Sequence, residues 1–191
     1  VYSQTKEEVN DFAQFAKSEG AYKPINFISF GNTGALKEPG LLFYPGPGLS
    51  ISSKNRSFFK NNSWSICGVT HTTSSSRVMQ EIESIVYSPI QKWDALICTS
   101  KSVYSNVLKV INVTEENLKN KLNATEFTRP QLPVIPLGIN TSQFNFTHKE
   151  KSDARQFFKI NNEEIVVLYV GRLSFHAKAN PFPMYKALEL A

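Results

Sequence analysis

The residues best placed to do chemistry follow an apolar run near the end of the chain. Ile165 to Val170 stops at Gly171 and Arg172, a short polar loop runs to Lys178, and Pro181 and Pro183 then suit the first turn of a helix, where a missing N–H costs nothing. Strand, loop with two cations and helix is a layout that grips phosphate. Arg172 and Lys178 would stand at the carboxyl end of a fully buried parallel strand, where open α/β sheets bind ligands. The alternative is two solvated cations beside a strand end.

The elements that would position these groups are clearest from Trp64 onward. The pattern predicts strands over Trp64–Val69, Trp93–Cys98 and Leu132–Ile135, with helices over Ser76–Tyr87 and Ser102–Ile111 between them. That is the size and rhythm of βαβ units, so a parallel sheet covered by helices on both faces is expected. Ser74 to Ser76 offer caps for the first helix, and Ser100 or Ser102 for the second. Upstream, Val9, Phe12, Phe15 and Ala16 share one face of an amphipathic helix over Lys6–Ala16. Ile25–Phe30 and Leu41–Tyr44 are short apolar runs, strands or ordered loops, and Tyr44–Ser50 is a turn rich in Gly and Pro. Downstream, Leu137–His148 loses the apolar rhythm and reads as a connection, Ser152–Lys159 as a short helix, and Glu164–Val170 as the opening of a new sheet. That sheet has no further strand before Ala191, so the rest of a second domain is expected outside these 191 residues.

Composition narrows the class. Hydrophobic residues make up 41% of the chain, as in ordinary globular proteins, and no stretch approaches the ~20 apolar residues of a membrane span. The amino terminus VYSQTKEEVN lacks the basic and apolar regions of a signal peptide, which points to the cytoplasm. Cys67 and Cys98 lie within predicted strands without metal-ligand or CxxC spacing, so two buried reduced thiols are expected. The net charge of +5 would suit an anionic partner, but the cations are scattered and no aromatic-basic nucleic-acid motif occurs. Lys54, Arg56 and Lys60 beside Phe58 and Phe59 form the one compact basic-apolar patch, read here as a solvated loop. Sequons at Asn55, Asn61, Asn112, Asn123, Asn140 and Asn145 carry no argument in so asparagine-rich a chain.

The segments WSICGVTHTTSS with KWDALICTSKSV, then QLPVIPLGINTSQF, then VVLYVGRLSFHAKANPFPMYKALE together resemble a bacterial branch of glycosyltransferase family 4. The resemblance covers Trp64 to Ala191 well and the first sixty residues weakly. It implies the GT-B architecture: residues 1–140 as a Rossmann-like acceptor-side domain, 141–150 as a connection, and 151–191 as the first strand and helix start of a nucleotide-sugar-binding domain. By the same resemblance, Arg172 and Lys178, after Gly171, bind the diphosphate of a nucleotide-sugar. His71 would contact the reacting sugar, with hydroxyl donors from Thr70, Thr72 and Thr73. A structural histidine is the alternative. Ser100 would face the same cleft or cap the following helix, and capping is the favoured job. Gly138 would serve the hinge. No metal is implied, and the sequence offers no Asp-x-Asp.

The paired glutamates of the family's donor pocket have no counterpart within these residues. Its glycine-rich turn after the first acceptor-domain strand is also not identifiable, although Gly31 and Gly34 or Gly46 and Gly48 could stand in. The resemblance thus implies a retaining transferase moving a sugar from a nucleotide diphosphate donor to a glycan, lipid or small-molecule acceptor, cytoplasmic or peripheral at a membrane, with no nucleic acid partner. The rivals are a non-catalytic module that binds a glycan or lipid head group, and a nucleotide-sugar-binding Rossmann protein such as an epimerase.

Overall fold

The computed structural model describes residues 1–171 and 180–191. The chain divides into two compact units, Val1–Pro136 and Leu137–Ala191. The expected strand–cation–helix group falls partly outside the described residues, because Arg172 and Lys178 both do.

The first unit opens with β1 (Tyr2–Ser3) and α1 (Lys6–Ser18). Thr5 and Glu8 start α1 by a reciprocal cap: the Glu8 N–H donates to Thr5 Oγ1 and the Thr5 N–H to the Glu8 carboxylate, each at 3.3 Å. β1 pairs in parallel with β2 (Ile28–Ser29), which leads into a 3₁₀ stretch over Phe30–Lys37. The main sheet follows: β3 (Leu41–Tyr44), α2 (Leu49–Ser57), β4 (Ser65–Val69), α3 (Ser76–Ser84), β5 (Ala95–Ile97) and α4 (Lys101–Leu122). The strands lie parallel in the order β3-β4-β5. Gln131–Val134 adds a fourth parallel segment beside β5, with the Leu96 and Cys98 N–H groups donating to the Gln131 and Pro133 carbonyls at 2.8 Å. The α/β class and the parallel sheet expected from the sequence are therefore present.

Within β3-β4-β5 the strand order advances steadily, so right-handed crossovers put α2, α3 and α4 on the same face. The helices pack side by side there, α2 on α3 and α3 on α4. Leu49, Ile66, Ile82, Ile85, Leu96, Val107 and Ile111 form the core between them and the sheet, each 1% exposed or less. Burying each such side chain stabilises the unit by about 1.5–3 kcal/mol. The strand register puts Leu41 and Phe43 on the opposite face with Cys67, Ala95 and Ile97, and there Leu41 and Phe43 stay 50% and 54% exposed.

One correction concerns Arg56. It is no solvated loop cation: Arg56 and Asp94 are both fully buried and paired at 2.6 Å. The Asp94 carboxylate accepts from Arg56 Nη1 and Nη2 and from the N–H groups of Ile66 and Gln91. The guanidinium also donates to the carbonyls of Trp64 and Pro89. This cluster ties the last turn of α2 to the starts of β4 and β5.

The second unit contains a 3₁₀ turn over Thr141–Phe144, α5 (His148–Phe157) and α6 (Phe182–Glu189), with Pro181 and Pro183 at the start of α6 as the sequence suggests. Ile165–Val170, expected as a fully buried strand, forms none, and Ile165 and Val170 are 93% and 83% exposed. An apolar run becomes a strand only when neighbouring backbone takes up its N–H and C=O groups, and no partner strand lies among the described residues.

Candidate functional site

The carboxyl ends of β3, β4 and β5 are level. Tyr44 is in register with Gly68, Val69 with Ile97, and Cys98 with Val134. The turns that follow therefore leave one edge of the sheet side by side, about 4.8 Å apart from strand to strand. Each leads directly into a helix, so the amino ends of α2, α3 and α4 gather at this edge with their unpaired N–H groups and the positive ends of their dipoles.

The turn after β3 is Pro45-Gly46-Pro47-Gly48, with Gly46 to Ser50 buried. The Val69 N–H donates to the Gly46 carbonyl at 3.1 Å. A Cβ on Gly68 would stand 2.5 Å from that carbonyl oxygen and 2.6 Å from Leu49 Cδ2, so only glycine lets the turn lie this close to β4. Of the two glycine pairs singled out in the sequence, Gly46 and Gly48 occupy a strand–turn–helix position at this edge. Gly31 and Gly34 lie in the 3₁₀ stretch before β3.

The turn after β4 carries His71. Thr70 is fully buried, and both its N–H and its hydroxyl donate to the Ile97 carbonyl at 3.0 Å. Its hydroxyl is committed to holding the His71 turn against the end of β5. Thr72 Oγ1 pairs with Ser74 Oγ at 2.8 Å and accepts from the Ser74 N–H. Ser75 caps α3 through the Val78 N–H. His71 itself is exposed and makes no hydrogen bond among the described residues. After β5, Ser100 caps α4, its hydroxyl accepting from the Val103 N–H at 3.1 Å. Of the residues predicted from sequence, Thr70, His71, Thr72 and Ser100 thus share one edge. Gly171 lies in the second unit and is exposed, and Arg172 and Lys178 lie outside the described residues.

Two further groups at this edge escape the sequence reading. The Tyr44 ring lies against Gly46 and Gly48, and the Glu81 carboxyl of α3 sits beside Gly48, 3.5 Å from where a Cβ would be. Glu81 is also paired with Arg77 at 3.2 Å, an exposed i,i+4 contact of small energetic weight. The only sequence signal for Tyr44 was its place before a Pro-Gly-Pro-Gly turn. Glu81 looks like any polar helix position until the fold brings it there.

Burial pushes the thiols of Cys67 and Cys98 up from their ordinary range, and both are free. They are poor nucleophiles. Among the described residues no cluster of three His, Cys, Asp or Glu side chains has the arrangement to hold a metal ion, and no helix is long and apolar enough to cross a membrane. No family model, curated protein or solved structure matches this chain.

Proposed function

We propose that the chain belongs to a retaining glycosyltransferase of GT-B type, with residues 1 to about 140 forming most of the acceptor side. The observation that carries this reading is the convergence of the His71 turn, the glycine turn at Gly46 and Gly48 and the amino ends of α2 to α4 on one edge of a parallel sheet. Such an edge favours partial negative charge and offers an imidazole that makes no hydrogen bond among the described residues. His71 contacts the sugar undergoing transfer, Thr70 holds its turn, and Arg172 and Lys178 neutralise the leaving diphosphate. Charge accumulates on that diphosphate as the glycosidic bond breaks, so fixed cations stabilise the transition state more than the ground state. The donor is a nucleotide diphosphate sugar, and no metal takes part. A transferase of this kind works in the cytoplasm, at the membrane surface when its acceptor is a lipid.

The test is transfer from a panel of nucleotide-sugars to mixed glycan and lipid acceptors, by the protein expressed through to the stop codon of its gene. His71→Ala should lower turnover about 10²-fold or more while leaving the melting temperature unchanged. Nucleotide-sugar binding without transfer to any acceptor would favour an epimerase-like protein, and glycan binding without turnover a recognition module.

A further inference from the structure

A separate cleft opens at the other edge of the main sheet, where β4 begins. It has a volume of about 450 Å³, within the ordinary range of small-ligand sites, and lies between the turn Phe30–Gly34 and the end of α2. Phe30, Phe58 and Phe59 supply its aromatic surface, Asn32 and Asn55 its free carboxamides, and among the described residues no acidic or basic side chain lines it.

Both walls are held by packing. On one side Tyr2 packs on Phe30 with ring centroids 4.6 Å apart and donates its hydroxyl to the Phe30 carbonyl at 3.4 Å. On the other, Phe59 rests on Trp64 at 5.6 Å and against Gly34, where a Cβ would come within 3.0 Å of its ring, and Lys37 Nζ lies 4.8 Å from the ring centroid. The buried Arg56–Asp94 pair fixes the helix end that presents Asn55 and Phe58. Phe58, by contrast, is 85% exposed. The Thr33 hydroxyl is spent on the Phe30 carbonyl, but the Asn32 and Asn55 side chains make no hydrogen bond among the described residues.

We propose that this cleft binds a neutral saccharide unit, with the C–H face of the sugar ring against Phe58 and its hydroxyl edge toward Asn32 and Asn55. A pyranose has one apolar face and a rim of hydroxyls. An aromatic ring suits the first, and a carboxamide, with a donor and an acceptor side by side, suits neighbouring hydroxyls on the second. Among the described residues no lining side chain is charged, so the lining itself offers no partner to a phosphate or a carboxylate; the Lys37 ammonium sits on the Phe59 ring. The ligand class follows from this lining and does not depend on the transferase reading.

The full chain would be titrated with neutral hexoses, N-acetylhexosamines and short glucans, mannans and galactans, followed by backbone amide NMR shifts, with uridine and adenosine run in parallel. Saccharide binding in the millimolar range should shift amides confined to Gly31–Gly34 and Asn55–Phe59. Phe58→Ala and Asn55→Ala should each weaken it about tenfold or more with the melting temperature unchanged, since both side chains are exposed. The proposal is overturned by the absence of saccharide shifts at these amides, by binding that both variants leave intact, or by nucleosides binding there in place of sugars.

Discussion

Arg56 and Asp94, 38 positions apart, form a two-pronged ion pair from which water is excluded: Nη1 to Oδ1 is 2.6 Å, Nη2 to Oδ2 is 2.7 Å, and neither side chain is exposed. Removing one partner leaves the other charge buried without compensation. Arg56→Met or Asp94→Leu should therefore destabilise the first unit by about 3–5 kcal/mol, whereas the double variant should cost clearly less than the sum. Urea unfolding of the four proteins in the cycle reads this directly. Strictly additive losses would mean that the pair does not act as a unit.

The close passage of the glycine turn over β4 gives a second expectation. Gly68→Ala drives a methyl group into the Gly46 carbonyl and Leu49, and should cost about 1–3 kcal/mol while displacing the turn that begins α2. Gly138→Ala meets nothing within 4 Å and serves as the control, with little change in stability. Equal melting temperatures for the two variants would contradict the packing described.

The helix caps carry a pH dependence with a definite sign. The backbone N–H and hydroxyl of Thr147 donate to Glu150 and hold its carboxyl below the usual range. Ser3 and then the Thr5 backbone do the same for Glu8. A carboxyl with a lowered folded pKa adds stability above its unfolded value of about 4.3, and loses it as pH falls through the folded value. Carbon-detected NMR should find both groups titrating below 4.3, with α1 and α5 fraying from their amino ends in acid and Glu150→Gln removing the dependence in α5. Titration of either group at or above the unfolded value would be the contrary result.

Much of the first unit can be read from its sequence because its signals are local. Trp64 to Cys98 alternates apolar runs with amphipathic stretches, and the hydroxyls of Ser75 and Ser100 stand where helix caps are needed. Local signals also set the limits. The helix expected to end at Ile111 continues to Leu122, because Asn112–Leu122 is rich in polar helix formers without apolar rhythm, and the stop comes from Asn123 in the left-handed conformation. Arg129, beyond that stop, grips Glu115 and Asn112 on the helix, a contact invisible to periodicity. Arg56 looks like a solvated cation for the same reason: its partner, Asp94, is distant in sequence. Ile165–Val170 has the composition of a buried strand, but a strand is completed by backbone that it does not itself supply. At the candidate site, the turns holding His71 and Ser100 were foreseen. The commitment of the Thr70 hydroxyl to Ile97 and the position of Glu81 beside Gly48 depend on how strands align.

The central claim, that Arg172 and Lys178 stabilise the departing diphosphate of a nucleotide-sugar, is tested most directly by transfer rates of variants of the protein expressed through to its stop codon. Arg172→Ala and Lys178→Ala should each lower turnover about 10² to 10³-fold. Arg172→Met should do no better, and Arg172→Lys should recover only part, since an ammonium lacks the guanidinium's two-pronged reach. Wild-type turnover in both alanine variants would contradict the account and leave Arg172 and Lys178 as solvated surface cations.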